Sequence, residues 1–144
     1  MAQVSATSSL DISAAPNAVL AAVSDYETVR PRILSSHYRD FSVEKGGQGA
    51  GTVARWVLQA TEKRQRDVLA TVSVDGSTVT ERDANSSMVT TWSVAPNGQT
   101  STVTTTTQWT GAGGIGGFFE KTFAPIGLKK IQAEVLQNLA RELE

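Results

Sequence analysis

Cysteine is absent from the chain, so neither disulfides nor thiolate metal sites are available to it. Histidine occurs once, as His37, which rules out a metal site built from histidines, and no cluster of carboxylates stands in for one. No metal and no cofactor are therefore expected. Charge of one sign is also missing: the formal net charge is −1, which leaves no electrostatic footprint for nucleic acid. Eight of the thirteen lysines and arginines do fall between Arg30 and Arg66. Glu27, Asp40, Glu44 and Glu62 dilute that group, and mixed charge of this kind reads as a solvated rim rather than an RNA or lipid-headgroup patch. No apolar run reaches the eighteen residues a membrane-spanning helix needs. The start, Met1-Ala2-Gln3-Val4-Ser5, lacks the basic and apolar regions of a signal peptide. A cytoplasmic protein is expected, in which the Asn85-Ser86-Ser87 sequon carries no meaning. The 144 residues suit one domain with one core, spanning 1–144.

What the chain does have is a strong pattern at its end. Leu128, Ile131, Val135, Leu139 and Leu143, with Leu136 beside them, recur at spacings of three and four, one apolar stripe on a helix. Lys129, Lys130, Gln132, Gln137, Arg141 and Glu144 are assigned to the opposite, water-facing side. A helix from Leu128 to Leu143 is roughly 24 Å long at about 1.5 Å per residue, and its stripe needs a broad apolar surface to lie on. Pro125 and Gly127 break or kink the segment before it, so a short front piece carrying Phe118, Phe119 and Phe123 is expected ahead of the regular stripe.

Upstream the pattern is β. Residues 3–13 alternate as a half-buried strand, and Ser13-Ala14-Ala15-Pro16-Asn17 starts a helix with proline in its first turn. Val19, Leu20, Val23 and Tyr26 give that helix an apolar face. A second helical turn follows near Val29 to Leu34. From Ser36 the strands come at short spacing, which argues for an antiparallel meander. Phe41 and Val43 share a face of the first. Thr52 to Thr61, Arg64 to Val74, Thr78 to Asp83, Ser87 to Ala95 and Thr100 to Thr110 follow, with Asp75-Gly76 and Pro96-Asn97-Gly98 as turns. The prediction is a curved seven-stranded antiparallel sheet wrapped around a long C-terminal helix, an α+β architecture.

This order, with Leu10 to Pro16 leading to Val19 and Val23, the Gly46 to Gly51 turn before Trp56, the Gly111 to Phe119 stretch and the ending Leu136 to Glu144, resembles the helix-grip fold of the START-like (SRPBCC) superfamily. Within it the chain is most similar to the polyketide cyclase/dehydrase and lipid-transport family of small bacterial proteins. The resemblance covers the whole chain but rests on element order, not on a catalytic signature. It implies a cavity between the concave sheet and the terminal helix. Members bind lipids, sterols, polyketides and other apolar molecules, and a minority catalyse cyclisation or dehydration.

The residues themselves offer candidates for such a cavity. Trp56, Trp92 and Trp109 lie on strands, with Tyr26, Phe41, Phe119 and Phe123 near the mouth or floor, and large aromatics with a few polar tips line sites for flat apolar ligands. Leu58, Val72, Thr90 and Thr105 join them as ligand-binding candidates, and Thr107 offers another hydroxyl. The same aromatics also serve as ordinary core. The Gly111 to Gly117 segment reads either as a hinge admitting ligand or as a plain connection. Gly47-x-Gly49-x-Gly51 lacks dinucleotide spacing and runs into a strand, so it is no nucleotide site. Catalytic signal is thin. His37 is a possible acid/base group if it points inward, and Arg66 and Asp83 have the strand parity to reach an interior that Arg55 lacks. The expected function is binding or transport of a small hydrophobic ligand, a lipid, aromatic polyketide or quinone-like molecule, by a monomer. The alternatives are a cyclase/dehydratase-type enzyme in the same cavity and a co-chaperone-like interaction module using the Arg30 to Arg66 rim.

Overall fold

Alternating apolar and polar residues separated by glycine turns produce seven strands in the computed structural model, which describes residues 3–61, 64–110 and 125–144. In chain order the elements are β1 (Gln3–Ile12), α1 (Pro16–Val23), α2 (Arg30–Ile33), β2 (Tyr38–Lys45), β3 (Val53–Thr61), β4 (Arg64–Asp75), β5 (Thr78–Asp83), β6 (Val89–Asn97), β7 (Thr100–Thr110) and α3 (Pro125–Glu142). The strands form one sheet in the order β1-β7-β6-β5-β4-β3-β2, each pair antiparallel. β2 to β7 is thus a meander, and β1 stands at its far edge beside β7. α1 and α2 carry the chain from one edge of the sheet to the other.

Two hairpins are as short as the sheet allows. Asp75 pairs with Thr78 and Asn97 with Thr100, leaving Gly76–Ser77 and Gly98–Gln99 as two-residue loops. Gly76 and Gly98 have positive φ at the first loop position, the type II′ pattern whose twist matches the flanking strands. β6 accordingly extends past the expected end at Ala95: Pro96 and Asn97 sit in the ladder opposite Ser101 and Thr100. Its start moves too, to Val89, because the Asp83 carboxylate accepts from the Asn85 amide and the Ser86 hydroxyl and holds residues 83–88 as a turn. In β2, Asp40 has φ 56° at a register shift between Arg39 and Ser42, a bulge that bends this edge strand.

The first glycine turn is a latch. Gly47 O accepts from Tyr26 N at 2.8 Å, and Gly49 N donates to Ser24 O at 2.9 Å. Gly47 has φ +137°, and a Cβ there would collide with the Glu27 side chain. The turn is therefore pinned to the link between α1 and α2, and it fixes where Tyr26 points.

α3 lies across the concave face, packing on β1 and touching α2. Leu128, Ile131, Val135, Leu136 and Leu139 are buried as the spacing requires, and Leu143 packs against the same core. Gln132 departs from its expected place in solvent, being only 5% exposed. It follows Leu128 by four residues, so it shares the inward face. Its amide is satisfied there: Nε2 donates to Ala6 O at 3.1 Å and Oε1 accepts from Ser8 Oγ at 3.1 Å. Among the described residues α3 runs from Pro125 to Glu142, and a proline in a first helical turn loses no hydrogen bond. The expected front piece with Phe118, Phe119 and Phe123, and the Gly111 to Gly117 segment, lie outside the described residues. No helix among the described residues is long and apolar enough to cross a membrane.

Candidate functional site

Between the sheet and α3 the core does not close. A cavity there has about 530 Å³ of atom-free space counting the solvent at its mouth, of which about 40 Å³ is open to the centre of a water-sized sphere. The smaller figure limits what can be enclosed. It is several times what one water needs, room on the order of a single aromatic ring. Among the described residues the apolar wall is Leu34, Trp56, Leu58, Met88, Trp92, Leu128 and Val135. Phe41 stacks behind Trp56 with ring centroids 6.1 Å apart. The polar atoms come from Arg30, Tyr38, Glu81, Thr90, Thr105, Thr107 and Gln132.

The first polar group is a buried ion pair. Arg30, 2% exposed, donates from Nη1 to Glu81 Oε2 at 2.5 Å and from Nη2 to Val23 O at 2.9 Å. Tyr26 Oη donates to the same Glu81 Oε2 at 2.5 Å. The guanidinium carbon lies 4.2 Å from the centre of the Tyr26 ring and 5.1 Å from that of Trp92, a cation held between two aromatic faces. Two charges taken out of water are tolerable only when paired and hydrogen-bonded, and α2, α1 and β5 each supply a partner. Burial pulls the Arg30 pKa down, but the Glu81 charge and then Tyr26 outweigh it and push the net value up, so the guanidinium stays cationic. Burial also raises the Tyr26 phenol well above its ordinary range; the Arg30 charge opposes this and Glu81 adds to it. Tyr38 is raised likewise by burial and then by the charge of Glu81. Both phenols keep their protons near neutral pH and act there as donors.

Glu81 is only half used. Oε2 takes both hydrogen bonds, while Oε1 accepts none from the described residues. Arg30 Nε and Trp92 Nε1 also lack partners but are sealed from solvent and cavity alike; Oε1 is not. Tyr38 Oη likewise has no partner among the described residues and is not sealed. Beside Glu81, whose register partner on β6 is Thr90, the Thr90 and Thr107 hydroxyls meet at 2.9 Å, and Gln132 Nε2 reaches Thr107 Oγ1 at 3.4 Å. These side chains are satisfied among themselves, so the unspent hydrogen-bonding capacity lies on Glu81 and Tyr38.

Of the ligand-binding candidates, the structure brings Trp56, Leu58, Thr90, Trp92 and Thr105 together on the cavity wall. Tyr26 sits one layer back, behind Arg30 and Glu81, and Phe41 stands behind Trp56. Val72 and Trp109 are buried in the core but do not line the cavity. Phe119 and Phe123 lie outside the described residues. His37 is at the rim, with Nδ1 2.9 Å from Gln59 O and Nε2 3.8 Å from Glu134. Arg66 and Asp83 face inward as their parity requires, yet beyond the end of the cavity: Asp83 caps the β5–β6 turn and Arg66 donates to Asn85 O. Arg30 is the clear departure from expectation, a core residue and not part of a solvated rim. Arg32 and Arg39 are exposed and Arg55 is half-buried, and each meets a carboxylate.

Sequence reasoning missed Arg30, Tyr38, Glu81 and Gln132. One signal was available for Glu81: it falls between Val79 and Asp83 on the inward parity of β5, where a carboxylate demands a buried partner. Nothing local ties it to Arg30, 51 residues away.

A family model described as polyketide cyclase / dehydrase and lipid transport matches residues 3–144. The solution structure of the KanY protein is 64% identical, with a TM-score of 0.91 and 99% of each chain covered. The Zhui aromatase/cyclase from a Streptomyces species is 12% identical at a TM-score of 0.74, covering 99% of this chain and 94% of the other. Norcoclaurine synthase from Thalictrum flavum, in complex with dopamine and hydroxybenzaldehyde, is 12% identical at 0.69, covering 98% and 86%. At such identities the likeness of the last two is one of fold. No curated protein matches the chain.

Proposed function

The chain belongs to the polyketide cyclase/dehydrase and lipid transport family, and on that premise we propose that it binds a small, largely apolar molecule between the sheet and α3. Lipid fragments, aromatic polyketides and quinone-like compounds fall in the class. The observation carrying this reading is the partly enclosed cavity, with an aromatic and aliphatic wall and a few unspent polar atoms. Such a site takes up apolar surface from water and orients it with a small number of hydrogen bonds.

A second reading, a cyclase- or dehydratase-type enzyme, is favoured by one observation: Glu81, the one carboxylate among the described lining residues, keeps an oxygen free in the cavity that the protonated phenol of Tyr38 also lines. The pair supplies an acceptor and a donor to one guest, the minimum for moving a proton at a bound carbonyl compound.

Binding is tested with an environment-sensitive apolar dye. The wild-type chain should enhance its fluorescence, and Trp56→Ala and Trp92→Ala should reduce uptake more than they change the far-ultraviolet circular dichroism. Dye uptake that is absent from the wild type, or identical in both variants, would count against the cavity as a binding site.

A further inference from the structure

We infer that the guest is a neutral phenol whose hydroxyl is donated to Glu81 Oε1, an assignment that rests on the binding role proposed above. Glu81 is 5% exposed and lines the cavity, and its Oε2 is already committed to Arg30 Nη1 and Tyr26 Oη. Oε1 is left with acceptor capacity and no donor among the described residues. A buried polar atom in that state calls for a partner; water fits the cavity, and a guest that displaces it must replace its hydrogen bond.

Charge decides which donor. Arg30 and Glu81 cancel each other, so the site has no net charge to offer. An ammonium at Oε1 would sit beside the Arg30 guanidinium and lose its own hydration. A carboxylate or phenolate would face the Glu81 anion. Either ion enters a low-dielectric space with its best partner already taken. A neutral O–H avoids both repulsions and still forms a charge-assisted hydrogen bond. A hydroxyl also accepts, which gives the unpartnered Tyr38 Oη a use. The ring then lies against Trp56, Trp92, Leu128 and Val135, in a space of single-ring size.

Four single-ring probes test the assignment by backbone-amide NMR titration of the whole chain at neutral pH, where a phenol keeps its proton. They are p-cresol, its apolar isostere p-xylene, the acceptor-only 4-methylanisole, and benzylammonium. p-Cresol should bind roughly tenfold or more tighter than p-xylene and 4-methylanisole, the effect of a hydrogen bond to a charged group, and benzylammonium should bind no better than p-xylene. In Glu81→Gln the cresol preference should fall severalfold. Should that variant not fold, the wild-type series decides alone, because 4-methylanisole lacks only the donated proton. Equal affinity for p-cresol and p-xylene, or for p-cresol and 4-methylanisole, overturns the phenol while leaving apolar binding intact. Tightest binding of benzylammonium overturns the charge argument. No response to any probe removes the binding role and the phenol together.

Discussion

Raising the pH probes the buried core with the protein's own chromophores. The chain has two tyrosines, Tyr26 and Tyr38, and both phenols are held above their ordinary range, chiefly by burial and then by neighbouring charge. Ionising Tyr26 in place would put a phenolate against the Glu81 carboxylate it now donates to at 2.5 Å. In the unfolded chain both titrate near pH 10. A folded-state value above the unfolded one means that the native state holds the proton more tightly. That contribution to stability is complete below about pH 10 and is lost as the pH rises beyond it. By pH 11 the unfolded state gains about 1.4 kcal/mol from the fully buried Tyr26, with half-buried Tyr38 adding up to the same again. Urea midpoints measured from pH 8 to 11 should fall accordingly, and Tyr38→Phe should remove up to half of the slope. Absorbance near 295 nm should stay flat through pH 10 and rise only with unfolding. A reversible titration of both phenols near pH 10, with circular dichroism unchanged, would mean that Tyr26 reaches water and that the enclosed Glu81 cluster is wrongly drawn.

Two further perturbations test the parts that hold this cluster. Arg30→Met strands Glu81 as a buried charge and should cost about 3–5 kcal/mol, while Arg30→Met with Glu81→Leu should recover most of that loss; urea denaturation of both singles and the double decides, and simple additivity would deny the coupling. Gly47→Ala puts a Cβ into Glu27 at φ +137° and should lower stability by about 1–3 kcal/mol, with Glu27→Ala relieving only the steric share; an unchanged urea midpoint would show that the latch adapts freely.

The sheet was legible because its signal is repeated. Alternation in β3, β4 and β7 places Ala54, Trp56 and Leu58, then Val68, Ala70 and Val72, then Val103, Thr105 and Thr107 on one face, and the structure buries all of them. The α3 stripe was legible for the same reason at the helical period. Ends were harder: Pro96 looks like a strand breaker, but it occupies a ladder position beside a two-residue hairpin, where the geometry is set by Gly98. The cavity's apolar half, Trp56, Leu58 and Trp92, follows from parity. Its charged half does not, because Arg30 in a four-residue helix looks like any surface arginine until β5 is folded against it. Gln132 failed for a simpler reason, since polarity was weighed above its place on the helical wheel.

The placement of β1 has a consequence for how the molecule comes into being. Gln3 pairs with Thr110, so β1 waits for the last strand of the sheet before it has any strand to bond. The meander from β2 to β7 grows by adjacent hairpins, whereas β1 closes a loop of roughly a hundred residues, the kind of distant pairing that slows assembly and leaves an open edge meanwhile. Alternating serine and threonine on its outer side, where Thr7 and Ser9 later meet Thr106 and Thr104, keep that waiting strand from being greasy on both faces.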